Sequence, residues 1–234
     1  MISDLQLRLE AGINRFGGEG LWQRLNYINL DIQAISGPLP KIKGIGRTFP
    51  HFGRVQVFPK QFRAVFFDRA GSLLGEFQAG TIHQEGHGPL SNHRSSFYGL
   101  SKHRTWNAQD AMYFFGYALT VYFNIPFLLT SLPVRLRPWK NDGLRVDAVF
   151  PSEIHSHCRH QRFYFDGGAL LVRHDYTADI VSRFASGAHF TSDYVELGGL
   201  LIARQRRVFT RFGGLVLPFP VLSAKIRPVE VGLL

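Results

Sequence analysis

One cysteine, Cys158, in 234 residues excludes an intramolecular disulfide. Methionine is nearly as scarce, and the N-terminus, MISDLQLRLEAGINRF, lacks the apolar core of a signal peptide, so a cytoplasmic location is expected. No Gly-x-Ser-x-Gly elbow and no P-loop is present, and Gly12, Gly17, Gly18 and Gly20 are spaced too irregularly for a dinucleotide fingerprint. No cofactor is therefore expected. Acidic residues are few, 17 against 27 basic ones, for a formal charge of +10. Such a balance suits anionic groups or surfaces. The basic residues, mostly arginine, are scattered rather than interleaved with aromatics, and no nucleic-acid-binding signature occurs, so nucleic acid is not an expected partner.

The longest absence is of charge. From Ala111 to Val134, AMYFFGYALTVYFNIPFLLTSLPV, no residue carries a formal charge. Asn107 is a good N-cap and Asp110 favours the positive end of a helix dipole, while Pro126 ends helical geometry near Asn124. A helix is thus expected over Asn107 to Asn124. Met112, Phe115, Leu119 and Tyr122 form one stripe, and Phe114, Ala118 and Val121 widen it to most of the circumference, the pattern of a helix buried on nearly all sides. A bilayer span needs roughly 20 apolar residues. Asn124 and Pro126 interrupt this one, and the hydroxyls of Tyr113, Tyr117 and Tyr122 need partners that protein supplies more readily than lipid. No membrane span is expected.

What is abundant is large and apolar: 21 Phe, eight Tyr and three Trp. One domain over 1–234 is expected, without a linker or low-complexity tract. Ile2 to Ala11 has the spacing of a short amphipathic helix, broken by the glycines from Gly17 to Gly20. Leu21 to Ser36 alternates as a long strand. Arg54 to Phe58, Gln61 to Phe67 and Leu73 to Gln78 follow as short strands in hairpins. Gly80 to Thr105, with His83, His87, His93 and His103, is expected to be a long loop or lid. Beyond the helix, Leu132 to Pro138 pairs with Leu144 to Phe150, and glycine pairs at Gly167, Gly198 and Gly213 punctuate an antiparallel meander of about six strands. Nothing alternates as a doubly wound α/β chain does.

With Gly167 and Gly168 as a two-residue turn, one sheet face carries Phe165, Phe163, Gln161 and Arg159 opposite Leu170, Val172, His174 and Tyr176, with His157 next in line. The other face sets Arg162 against Arg173 and His160 against Asp175. Polar groups converging on an apolar wall are the usual form of a ligand site. Candidate ligand-binding residues are therefore His157, Arg159, Gln161, Phe163, Phe165, Arg173 and Asp175, together with Phe115, Tyr117 and Tyr122 of the helix. Alternation separates His155 and His157 from Cys158 and His160, so a metal site is not expected.

The segments TWNAQDAMYFFGYALTVYFNIPFLL, FPSEIHSHCRHQRFYFDGGALLVRHDY and GAHFTSDYVELGGLLIARQRRV resemble a group of uncharacterised bacterial proteins, over Trp106 to Val208. Helix, long strand and meander together look like the LolA/LppX type. That resemblance implies a mainly β (α+β) fold, a curved antiparallel sheet or half-barrel wrapped around one long buried helix, as in carriers of lipoprotein acyl chains and in an enzyme of violacein biosynthesis. Lipocalin-like and START-like cavities are the alternatives. The expected partner is a hydrophobic or aromatic small molecule, or an acidic amphipathic one with its head group on Arg173 or Arg159. Two other functions remain open. One is cofactor-free acid/base chemistry by His174 with Tyr176 or Gln161; the other is an interaction module using the basic surface. Nothing in the sequence sets an oligomeric state.

Overall fold

The computed structural model describes residues 3–45, 52–99 and 104–234. Residue Ile2 and the loop histidine His103 lie outside the described residues.

The N-terminal helix α1 (Asp4–Arg15) begins at a capping box in which Ser3 and Gln6 satisfy each other's backbone N–H groups. The glycines that follow do not end helical structure as expected. Gly17, at positive φ, starts a second helix, α2 (Gly18–Arg24), so the long strand β1 runs from Leu25 to Ser36 rather than from Leu21. A one-turn helix α3 (Pro38–Ile42) comes next, with prolines in its first turn.

Hairpin strands β2 (Arg54–Phe58), β3 (Arg63–Phe67), β4 (Leu73–Gln78) and β5 (Thr81–His83) lead to the loop that precedes the long helix. Helix α4 (Ala108–Asn124) starts at Asn107, whose side chain accepts from the Asp110 N–H, and stops before Pro126. After it come β6 (Val134–Trp139), β7 (Gly143–Val149), β8 (His160–Phe165), β9 (Leu171–Thr177), β10 (Ser186–Leu197), β11 (Leu200–Phe212) and β12 (Leu215–Leu233). The C-terminal meander thus has five strands rather than six, because β12 continues unbroken for 19 residues.

All twelve strands join one antiparallel sheet in the order β5-β4-β3-β2-β1-β12-β11-β10-β9-β8-β7-β6. Its two ends do not pair with each other, so the sheet is open. The two chain halves meet where β1 pairs with β12, with Ile28 opposite Val231 and Ile32 opposite Ile226.

Helix α4 lies against the apolar face of this sheet and touches both halves of it. On one side Tyr113 packs edge-on against Phe77 of β4; on the other Tyr122 meets His174 of β9 and His189 of β10. Gly116 makes the first of these approaches possible, since a Cβ there would stand 2.4 Å from the Phe77 Cβ. The curved sheet around one long buried helix is as the LolA/LppX-type resemblance implied. No helix among the described residues is long and apolar enough to cross a membrane.

Candidate functional site

The hairpin of β8 and β9 has its pairing displaced by two residues from the expected one. Its turn uses four residues, Asp166 to Ala169, with Ala169 at φ 62° and the Asp166 carboxylate accepting from the Gly168 and Leu170 N–H groups. A bulge at Val172 completes the shift. Phe163 therefore opposes His174, and Arg162 opposes Asp175 rather than Arg173. Because the displacement is two residues, His174 and Tyr176 keep the inward face and Arg173 and Asp175 the outer one.

On the inward face Phe163, His174, His189, Val208 and Leu222 form a continuous row across β8 to β12. His174 stacks on Phe163, ring centroids 4.3 Å apart, and its Nε2 meets the Gln161 Oε1 at 2.7 Å. The Gln161 amide nitrogen donates to the Cys158 carbonyl, so its oxygen faces the histidine and Nε2 carries the proton. Burial holds the His174 imidazole well below its usual pKa, with neighbouring His189 and His157 acting the same way.

His157 arrives from an irregular segment, not from the strand. Arg94, in the 3-10 turn His93–Phe97 of the preceding loop, donates to the Ser156 carbonyl at 2.8 Å and fixes that segment. The His157 Nδ1 lies 3.1 Å from the Tyr117 hydroxyl and Nε2 lies 2.6 Å from that of Tyr122. Burial, aided by the Arg94 charge, lowers its pKa to about 3. A neutral imidazole has one N–H and one lone pair, so one tyrosine accepts and the other donates. Tyr122 also lies 3.4 Å from the Tyr176 hydroxyl, and burial raises its pKa to about 12, partly offset by that bond.

The remaining candidates divide. Phe163 and Phe165 are core side chains, and Phe115 lines a cavity beside α4. Arg173 and Asp175 leave the site: Arg173 grips the Asp175 carboxylate at 2.6 and 2.9 Å on the outer face, where Tyr164 donates to it and Arg211 lies 3.5 Å away. Arg159 is exposed and precedes β8, so neither arginine lines the cavity beside α4. His83, at the end of β5, and His87, in the loop, are exposed, whereas His93 is buried with its Nε2 2.9 Å from Asp110. No group of three or more metal-ligating side chains gathers among the described residues.

Two inward residues were not singled out from the sequence. His189 is 1% exposed and neither ring nitrogen has a hydrogen-bond partner. Arg206 is 8% exposed, sits over the rings of Tyr122 and Phe123 at 4.9 and 5.6 Å, and has no carboxylate partner among the described residues. Both line an apolar cavity of about 50 Å³ between α4 and the sheet. It shares Phe114, Tyr176, Val208 and Leu222 with a second cavity of about 220 Å³ that extends to Pro38, Leu39 and Ile42 of α3.

The chain superposes on the crystal structure of a LolA superfamily protein from Nitrosomonas europaea with a TM-score of 0.51 and 7% identity, over 97% of this chain and 93% of that one. The fold is LolA-like. A DUF1329 family protein from Desulfovibrio piger aligns over 98% of this chain and 92% of its own, with a TM-score of 0.47 and 12% identity. No protein-family model matches the chain, and no curated protein matches its sequence.

Proposed function

We propose that the protein binds a hydrophobic small molecule between the sheet and α4, in the manner of a carrier or sequestering protein. The observation that carries this reading is the pair of adjoining cavities, walled by Phe114, Phe115, Leu119, Val208 and Leu222 and sharing Tyr176. Apolar walls with a few placed polar groups are the common form of a small-molecule site. The LolA-like fold is consistent with it, since the sequence resemblance implies acyl-chain carriers on that scaffold. Helix α3 lines the larger cavity with Pro38, Leu39 and Ile42, the last 66% exposed.

Native mass spectrometry of the purified protein tests this. A co-purifying apolar compound that rebinds after extraction and raises the melting temperature is the expected result. Absence of any such compound, with no thermal shift from a panel of acyl and aromatic compounds, would remove the reading.

A second reading has its own support. Tyr117, His157, Tyr122 and Tyr176 form a hydroxyl and imidazole chain that reaches the cavity wall at Tyr122 and Tyr176, a path along which a proton can move, so a cofactor-free isomerase or cyclase on the same scaffold fits the geometry. Within it Tyr176, which faces both cavities, is the residue nearest a ligand, and His174 acts behind it. Incubation of the extracted ligand with the protein separates the readings: a carrier returns it unchanged, an enzyme alters its mass or retention.

A further inference from the structure

We propose that Arg206 and His189 form a seat for one carboxylate at the end of the apolar cavity away from α3, which makes the ligand a medium- or long-chain carboxylic acid or an aromatic one. The inference rests on the apolar-ligand reading above and adds the head group that reading leaves open.

Arg206 is the observation that requires an explanation. A guanidinium keeps its charge in proteins, and a buried one without an anion pays a desolvation cost that only a partner or polar contacts offset. Two other deeply placed charges have their opposite: Asp110 has Arg104 at 2.7 Å, and Asp175 has Arg173. Arg206 has aromatic faces and nearby tyrosines, and its Nε has no acceptor at all. The sheet places it opposite Thr191, one inward position from His189, which is paired with Val208. His189 brings two further unused nitrogens into the same cavity lining.

These groups set the chemistry of what fits. A guanidinium offers a planar fork that matches a carboxylate, and a neutral imidazole adds one N–H donor. One permanent cation balances one negative charge, so a carboxylate suits the site and a phosphate dianion leaves a charge unpaired. The lining beyond the seat is apolar, with Phe115, Leu119, Leu222 and Ile226, and accepts the hydrocarbon part.

The test compares decanoate with 1-decanol, which differ only in the head group, by titration calorimetry at pH 7.5 on the full chain. Wild-type protein should bind decanoate roughly 30-fold more tightly than decanol, the range of a charge-assisted hydrogen-bonded pair. Arg206→Met, close in length and uncharged, should bring decanoate affinity down to the alcohol's level. Its melting temperature without ligand should be equal to or above that of the wild type, because an unpaired buried cation is gone. Equal affinity of the wild type for acid and alcohol overturns the seat and leaves the apolar-ligand reading standing. Retained preference for the acid in Arg206→Met overturns it as well. Binding of neither compound to the wild type overturns both, and needs no variant to fold.

Discussion

His157 lies flat on Tyr176, ring centroids 3.8 Å apart and planes 6° from parallel, while its two nitrogens reach tyrosine hydroxyls on α4. One imidazole thus ties the irregular segment after β7, strand β9 and the helix together. It is a joint as much as a site residue.

Tyr122→Phe isolates part of that joint. The change removes the hydroxyl 2.6 Å from the His157 Nε2 and leaves a buried nitrogen without its partner, which costs about 1–3 kcal/mol. Urea denaturation should show this as a lower midpoint with an unchanged slope. A neutral result would mean that water or Tyr176 takes over the contact.

Acid should destabilise the protein in a definite window. The folded-state pKa of His157 is about 3, and those of His174 and His189 are also well below the usual value, in each case chiefly through burial. The unfolded chain therefore takes up protons near pH 6.5 that the folded chain refuses. Their contribution is complete above pH 6.5 and is lost as pH falls from there toward the folded values. The slope is about 1.4 kcal/mol per pH unit for each histidine. Unfolding free energy measured at pH 7.5, 6.0 and 5.0 should fall steeply over the last interval. A flat profile would show that these imidazoles protonate freely in the folded state.

Gly116→Ala probes the contact of helix and sheet. The new Cβ would meet the Cβ and Cγ of Phe77 at 2.4 Å, so α4 or β4 must move. Overpacking of this kind costs about 1–3 kcal/mol, against the slight gain in helix propensity. Differential scanning calorimetry should register a lower melting temperature; an increase would mean that the helix has room to shift.

Tyr117→Ala should cost about 3–5 kcal/mol, as for other packed aromatics removed from a core, and more than Phe115→Ala, whose ring already faces a cavity. Equal losses for the two would indicate that the cavity is filled or collapses in solution.

His174→Ala distinguishes site from scaffold. It removes the stack on Phe163 and strands the Gln161 oxygen. If the side chain only orders the wall, the melting temperature falls and the ligand-induced thermal shift stays as in wild type. If it acts on the ligand, the shift shrinks as well, corresponding to roughly tenfold weaker binding, about 1.4 kcal/mol.

Helix α4 was legible because its signals are local: a cap at Asn107, a stop at Pro126, and no charge between Ala111 and Asn124. The inward placement of His174 and Tyr176 was legible for a weaker reason. The misjudged turn displaced the pairing by an even number of residues, and parity survives such an error. The pairing itself did not survive, and Asp175 rather than Arg173 stands opposite Arg162. Arg159 was misplaced because β8 begins only at His160. Arg206 was hidden for another reason: in the run Gln205, Arg206, Arg207 either arginine can be the buried one, and only the pairing of β11 with β10 and β12 decides. The signal available was Val208 and Ile202, apolar residues in step with Arg206.

The junction of β1 with β12 has a consequence for how the molecule comes into being. Tyr27 and Glu230 are hydrogen-bonded partners 203 residues apart, and the strands they belong to lie inside the sheet rather than at its rim. Strands β1 to β5 leave the ribosome before β12 does, and the inner edge of β1 stays bare until β12 has been made. Closure over such a separation is slow and leaves an unpaired edge open to wrong partners in the meantime. Each half can assemble its hairpins early, but α4 obtains its complete wrapping, and the cavity its far wall, only when the last strand docks.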